Sequence, residues 1–299
     1  MPQRSFTSTV VVGAGAVGSF YGAMLARAGH QVTLIGRAAH VQATLREGLQ
    51  LQMAGQLHRV NLAATTDLGA VREADLVLVC VKSTDTDAVA CEIAPWLRAD
   101  ALVLSLQNGV ENADLLARHI RHQPVVPAVV YVATAMPAPG VVAHHGRGDL
   151  VIGRHRLAAA RSNGNGDDNT GATTGDDAAP GALARAESGD ELQRRLQALV
   201  DLFASAGVAV RISPDVMAEL WSKLMVNCAY NAISGLAQQP YGRMAELPPV
   251  RAVQRAVVHE VVAVAHAAGV ALVLDDALAA MERIAPAMPA QLSSTAQDM

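Results

Sequence analysis

Aromatic side chains are scarce in this chain: three Phe, four Tyr and two Trp, or 3% of 299 residues. A core of this size must therefore be built from Ala, Val and Leu, which suits close-packed helices and strands buried on both faces. Cysteine is also rare. Cys80, Cys91 and Cys228 form no C-x-x-C pair and no metal-ligand spacing. That excludes a disulfide framework and a structural zinc site, no metal is expected, and the setting implied is a reducing cytoplasm. No basic tract is present and the formal net charge is −4, so nucleic acid is not an expected partner. No signal-peptide pattern precedes the first apolar run, which Gly13, Gly15 and Gly18 interrupt. The apolar stretch 256–274 is long enough to cross a membrane, but it carries His259, Glu260 and His266 and reads instead as a buried amphipathic helix.

What is present is alternation. Residues 10–12, 31–35, 75–81 and 101–106 are short apolar runs, and between the first two stands a helical pattern, 16–28, closed by Gly29. Unbroken apolar runs separated by helices predict an α/β domain, a doubly wound parallel sheet of Rossmann type. Residues 158–189 (RSNGNGDDNTGATTGDDAAPG at their centre) are polar, Gly-rich and acidic, and read as a low-complexity surface insertion. A helix is expected over 191–206 and a strand over 208–212, and beyond Ser213 the pattern is almost wholly helical. The predicted organisation is a dinucleotide-binding domain over 1–213 and an all-α domain over 214–299.

Three sets of residues could carry chemistry. Gly13-Ala14-Gly15-Ala16-Val17-Gly18 matches G-x-G-x-x-G between a strand and a helix. The first Gly permits the tight turn, the second admits a pyrophosphate to the backbone, and the third lets helix and sheet pack closely. At the end of the second strand an NAD enzyme usually places Asp or Glu. No acid lies between Gly29 and Arg46, whereas Arg37 stands there with a guanidinium suited to a 2′-phosphate, which favours NADP(H). Lys82 and Asn108 follow two other strands, at the edge where open α/β sheets bind ligands. Asn108-Gly109 is equally simple turn chemistry.

The third set lies on a helix expected to open at Ser213-Pro214-Asp215, with Ser213 as cap, and to run to about Gly235. Lys223, Asn227 and Asn231 are spaced by four and share one face. Asn is unfavourable inside helices, so two of them beside a lysine suggest a polar wall facing a ligand; the alternative is a solvated face. A lysine ammonium there can stabilise a developing alkoxide and protonate it. The adjacent His144 and His145 have no third ligand at metal spacing and read as a loop feature.

Taken together, VVVGAGAVGSFYG, VCVKS, LSLQNGVEN, PGVVAHHGRGDLVIG, ELWSKLMVNCAYNAISGL and SSTAQDM resemble the ketopantoate reductases (2-dehydropantoate 2-reductases). The resemblance spans the chain apart from the 158–189 insertion. It implies NADPH-dependent reduction of 2-ketopantoate to pantoate in pantothenate and coenzyme A biosynthesis. Lys223 then matches the general acid, and Asn108, Asn227, Asn231 and Ser294 match substrate contacts. Gly13, Gly15, Ala16, Val17, Gly18, Arg37, Lys82 and Asn108 match the cofactor site. The resemblance also leads one to expect a T-E-I-D-like motif and a final helix after SS-x-x-QD, and the chain reaches Met299 before either. A reductase of another small 2-keto acid and a non-catalytic NADPH-binding sensor are the alternatives. The Ala/Val-rich helical half offers a surface for a homodimer.

Overall fold

The computed structural model describes residues 6–155 and 188–298. Of the expected insertion at 158–189, only Ser188 and Gly189 lie within the described residues. The chain divides into two compact units, Met1–Val216 and Met217–Met299.

The first unit is built on a ten-stranded sheet. Strands β1 (Ser8–Val12), β2 (Gln31–Ile35), β5 (Ala63–Thr65), β6 (Leu76–Val79), β7 (Leu102–Ser105) and the start of β8 (Val125–Ala138) run parallel in the order β5-β2-β1-β6-β7-β8. This is the Rossmann order, 3-2-1-4-5-6 when only these strands are counted. Leu76 and Leu78 of β6, with Leu102 and Leu104 of β7, face one side, and Val77, Val79 and Val103 face the other. Helices α1 (Ala16–Arg27) and α5 (Gly189–Ser205) cover the leucine face through Phe20, Tyr21, Leu25, Leu196 and Phe203. Helices α3 (Thr86–Ile93) and α4 (Asn112–His119) cover the valine face through Ala90, Ile93, Ala113 and Leu116. Burial on both faces is why these strands read as unbroken apolar runs.

Helix α1 ends as its Gly29 requires. With φ +90°, Gly29 donates its N–H to Ala26 O (3.0 Å), and His30 donates to Leu25 O (3.1 Å), the paired bonds of a Schellman cap. Helix α2 (Ala38–Glu47) is held by His40. The Gly140 N–H donates to His40 Nδ1 (3.0 Å), so Nε2 carries the proton and donates to Ser19 Oγ (3.1 Å).

Two hairpins complete the sheet, and neither was expected. β3 (Leu49–Met53) and β4 (Gln56–Val60) pair through a two-residue turn in which Ala54 and Gly55 both have positive φ (52° and 75°). β8 continues past the parallel core and folds back as β9 (Val141–Ile152); β3 and the short β10 (Val210–Ile212) both pair parallel to β9.

The second unit is helical: α6 (Val216–Ala237), α7 (Tyr241–Ala245), α8 (Pro248–Ala267), α9 (Leu274–Ala287) and α10 (Ser294–Asp298). Met225, Ala229 and Tyr230 of α6 are buried, as are Val258, Val262 and Ala265 of α8 and Met281 of α9. The Tyr230 hydroxyl donates to Met281 O (3.0 Å). Two expectations are corrected here. The apolar stretch 256–274 is not one helix, because Gly269 (φ +72°) ends α8 in a Schellman cap through Gly269 N–H to His266 O and Val270 N–H to Ala265 O. Helix α6 begins at Val216, later than the expected opening at Ser213, whose hydroxyl accepts from the Asp215 N–H (3.2 Å) in the turn that precedes it. Among the described residues no helix is long and apolar enough to cross a membrane.

Candidate active site

The parallel ladder aligns four strand ends. Val12 is level with Ile35 on one side and with Val79 on the other, and Val79 is level with Ser105. Gly13, Arg37, Lys82 and Asn108 therefore leave the same edge of the sheet, one to three residues beyond that line. From β2 to β7 is three strand spacings, about 14 Å.

The three motif glycines meet three different surroundings. A Cβ on Gly13, which has φ +101°, would lie 2.6 Å from Val81 N; one on Gly18 would lie 2.3 Å from Gly13 O and 2.9 Å from Val11 Cγ1. Both positions are closed by protein. A Cβ on Gly15 would meet nothing within 4 Å. Gly15 caps α1 with no side-chain hydrogen bond, and the first turn holds no acid. An open glycine at the uncapped, positive end of a helix fits a pyrophosphate. A Cβ on Gly36 would come within 2.8 Å of Ala14 Cβ, so the β2 turn lies against this loop.

Arg37 occupies the N-cap position of α2 and is exposed; its carbonyl accepts from the Val41 N–H (3.0 Å), and its guanidinium makes no hydrogen bond or ion pair among the described residues. Lys82 is exposed in the turn after β6. Asn108 is exposed, but its carbonyl is held: Ser83 Oγ donates to it (2.9 Å), and so does Asn112 Nδ2 (2.7 Å). Burial pushes the Cys80 thiol well above its usual range, so the residue beside Gly18 is a neutral thiol and not a nucleophile. His144 stacks on Phe20 (4.5 Å between centroids) and pairs with Arg147 O (2.6 Å), a role within the β8–β9 hairpin.

In the second unit, Lys223, Asn227 and Asn231 lie in α6, each half-buried, at four-residue spacing. Ser293 is fully buried and joins α10 to α6. Its hydroxyl donates to Asn231 O (3.3 Å) and accepts from the Ala296 N–H (3.0 Å), as an N-cap does, while its own N–H donates to Ser234 Oγ (3.2 Å). Ser294, nominated from sequence, is exposed at the first position of α10. Reasoning from sequence passed over Ser293, although a buried serine one residue before a helix is a recognisable cap signal. It likewise passed over Gln107, Thr86 and Asn112, which surround the Asn108 turn.

Comparison with known proteins agrees with this architecture. Residues 9–156 match the family described as Ketopantoate reductase PanE/ApbA, and residues 215–299 match its C-terminal part. A 2-dehydropantoate 2-reductase of Halobacterium salinarum is 32% identical over 292 residues, covering 97% of this chain and 85% of the relative. A solved PanE/ApbA family ketopantoate reductase of Ralstonia eutropha is 47% identical, with TM-score 0.78, covering 97% of this chain and 84% of that one. A D-mandelate dehydrogenase solved with NADH and anilino(oxo)acetate shares the fold at TM-score 0.78 and 21% identity, over 97% of this chain and 85% of that one. With its Rossmann-ordered sheet, its helical second unit and matches along both, the chain belongs to the ketopantoate reductase family, a family of NAD(P)-dependent oxidoreductases.

Proposed function

We propose that this protein reduces 2-ketopantoate to pantoate with NADPH, and that Lys223 supplies the proton. The observation that carries this reading is the α6 face on which Lys223, Asn227 and Asn231 stand half-buried at four-residue spacing. A structural helix gains nothing from two asparagines there. The names of the 32% and 47% identical relatives support the same substrate.

The cofactor site fits a phosphorylated dinucleotide. Gly13, Gly15 and Gly18 with the first turn of α1 would hold the pyrophosphate, Arg37 the 2′-phosphate, and Lys82 and Asn108 the nicotinamide end. When bound, NADPH supplies the two electrons and the hydrogen that ketone reduction consumes. The protein's own part is to place and protonate. The Lys223 ammonium donates to the substrate's carbonyl oxygen as negative charge develops on it. The neutral amides of Asn227 and Asn231 hold the keto acid without cancelling that charge, and the exposed Ser294 hydroxyl adds a further substrate contact.

The test is steady-state oxidation of NADPH with ketopantoate, beside NADH and an aryl 2-keto acid, for the wild type and Lys223→Met. The expected result is ketopantoate turnover that prefers NADPH. The variant should lose roughly 10²- to 10⁴-fold in kcat with NADPH affinity retained. Faster turnover of the aryl keto acid would assign a different 2-keto acid. Full activity of Lys223→Met would remove the proposed proton donor.

A further inference from the structure

We infer that Gln107 is a positioning residue for the reaction: its buried amide locks the Lys82 and Asn108 turns to one another. The inference rests on the functional reading above in one respect, that these turns serve the nicotinamide and substrate.

The geometry is a directed chain of hydrogen bonds. Ser105 Oγ donates to Gln107 Oε1 (3.1 Å). Gln107 Nε2 uses its two hydrogens separately, one to Val81 O (3.0 Å) and one to Thr86 Oγ1 (2.6 Å). Thr86 Oγ1 donates to Asn112 Oδ1 (3.0 Å), and Asn112 Nδ2 donates to Asn108 O (2.7 Å). Every donor in the series points the same way, so each bond polarises the next. A flipped Gln107 amide would set its oxygen against the Val81 carbonyl, which fixes the orientation. All four side chains are buried: Thr86 at 0%, Ser105 at 3%, Gln107 and Asn112 at 5% exposure.

The connections cross elements. Gln107 follows β7, Val81 precedes Lys82 after β6, Thr86 opens α3 and Asn112 opens α4. One amide therefore ties both strand-end turns to the helices behind them. Asn108 and Lys82 stay exposed on the ligand side of that lock. The turn is closed further by Gly109 (φ +104°), whose Cβ position lies 3.3 Å from Asn112 Nδ2. A buried polar series of this kind costs stability unless complete, and an apolar core would hold β6 and β7 equally well. What it adds is a single position for two exposed side chains. Among the described residues, no hydrogen bond joins the Gly13–Gly18 turn to the side chains of Ser105, Gln107, Thr86 or Asn112, so pyrophosphate anchoring and reactive-end positioning are separable.

The experiment compares wild type with Gln107→Met, Thr86→Val and Thr86→Ser. It reads NADPH affinity by fluorescence, kcat and KM for ketopantoate, thermal unfolding, and amide exchange by mass spectrometry. Gln107→Met should lower kcat roughly 10- to 100-fold, as a misplacement on the order of 1 Å does. Its NADPH Kd should stay within about threefold, since the Gly13–Gly18 turn, the α1 N-terminus and Arg37, which the substitution leaves in place, set most of that affinity. Exchange should quicken at 82–85 and 107–110 and not in the core strands. Thr86→Val should behave likewise, while Thr86→Ser, which keeps the hydroxyl, should restore activity. If Gln107→Met does not fold, the Thr86 pair makes the same comparison. An unchanged kcat with unchanged exchange overturns the inference. So does a loss shared equally by Thr86→Ser and Thr86→Val, or a fall in kcat matched by lost NADPH affinity and faster exchange across the whole sheet. If the wild type does not turn over ketopantoate, the functional reading fails, and the exchange comparison alone decides whether Gln107 locks the turns.

Discussion

Replacing Gly15 and Gly18 by alanine, one at a time, should separate binding from folding within a single motif. A methyl on Gly15 meets nothing within 4 Å, and the residue's φ of −77° and ψ of −169° are open to alanine. The change trades an N-cap preference for glycine, worth up to about 1 kcal/mol, against a less flexible unfolded chain, worth about 0.4–1 kcal/mol. The two nearly offset, so the unfolding temperature should stay within about 2 °C of wild type. With the dinucleotide placed as proposed, that methyl occupies the space the pyrophosphate needs. Loss of one charge-assisted hydrogen bond of about 1.5–3 kcal/mol should weaken dinucleotide binding roughly 10- to 150-fold. A methyl on Gly18 lies 2.3 Å from the Gly13 carbonyl, a backbone atom that cannot move aside without distorting the loop. Overpacking there should cost about 1–3 kcal/mol, or roughly 2–12 °C in a protein of this size. Differential scanning calorimetry and fluorescence titration with NADPH make the comparison. The reasoning is refuted if Gly15→Ala binds NADPH with wild-type affinity, or if it unfolds as early as Gly18→Ala.

Two further outcomes follow from single side chains. Arg37→Ala should weaken NADPH roughly tenfold, the low end for a charge-assisted bond because the guanidinium is exposed, and should leave NADH almost unchanged; equal loss for both would show that Arg37 does not read the 2′-phosphate. His40 should make stability depend on mild acid. Burial lowers its pKa, and its Nδ1 must stay bare to accept from Gly140, so the unfolded chain binds a proton more readily than the native one. Its contribution is complete above the unfolded value of about 6.5 and declines as pH falls through that value toward the lower native one. Thermal unfolding of wild type and His40→Asn from pH 8 to 5 should therefore converge at the acid end, and a gap that stays constant with pH would contradict the assignment.

The parallel core was legible because its physics is local. Runs such as LVLV have no alternation since both faces are covered, and Gly13, Gly18 and Gly29 each mark a place where a Cβ or a negative φ is forbidden. The hairpins were not legible for equally physical reasons. LQLQM does alternate, but its polar partners are Gln and its turn is Ala54-Gly55, which lacks the usual Asn or Asp. β8 contains Pro127 and Pro137, which argue against a fourteen-residue strand when no neighbour is known. At the site, side chains on exposed turns could be nominated from position alone. Those that fix them could not. Gln107 and Thr86 lie twenty-one residues apart, and only the fold shows that they touch.

The pairing of β3 with β9 has a consequence during synthesis. Leu49 and Leu51 are wholly buried, yet β3's second partner in the sheet, β9, begins at Val141. A ribosome adding about 5–20 residues per second needs roughly 5–20 s to make the intervening chain. For that interval the β3–β4 hairpin can form but presents an apolar face and an unpaired edge. A nascent chain arrested between these two points should therefore be the species that trigger-type holdases bind and that aggregates first, and release should coincide with emergence of the β8–β9 hairpin from the exit tunnel.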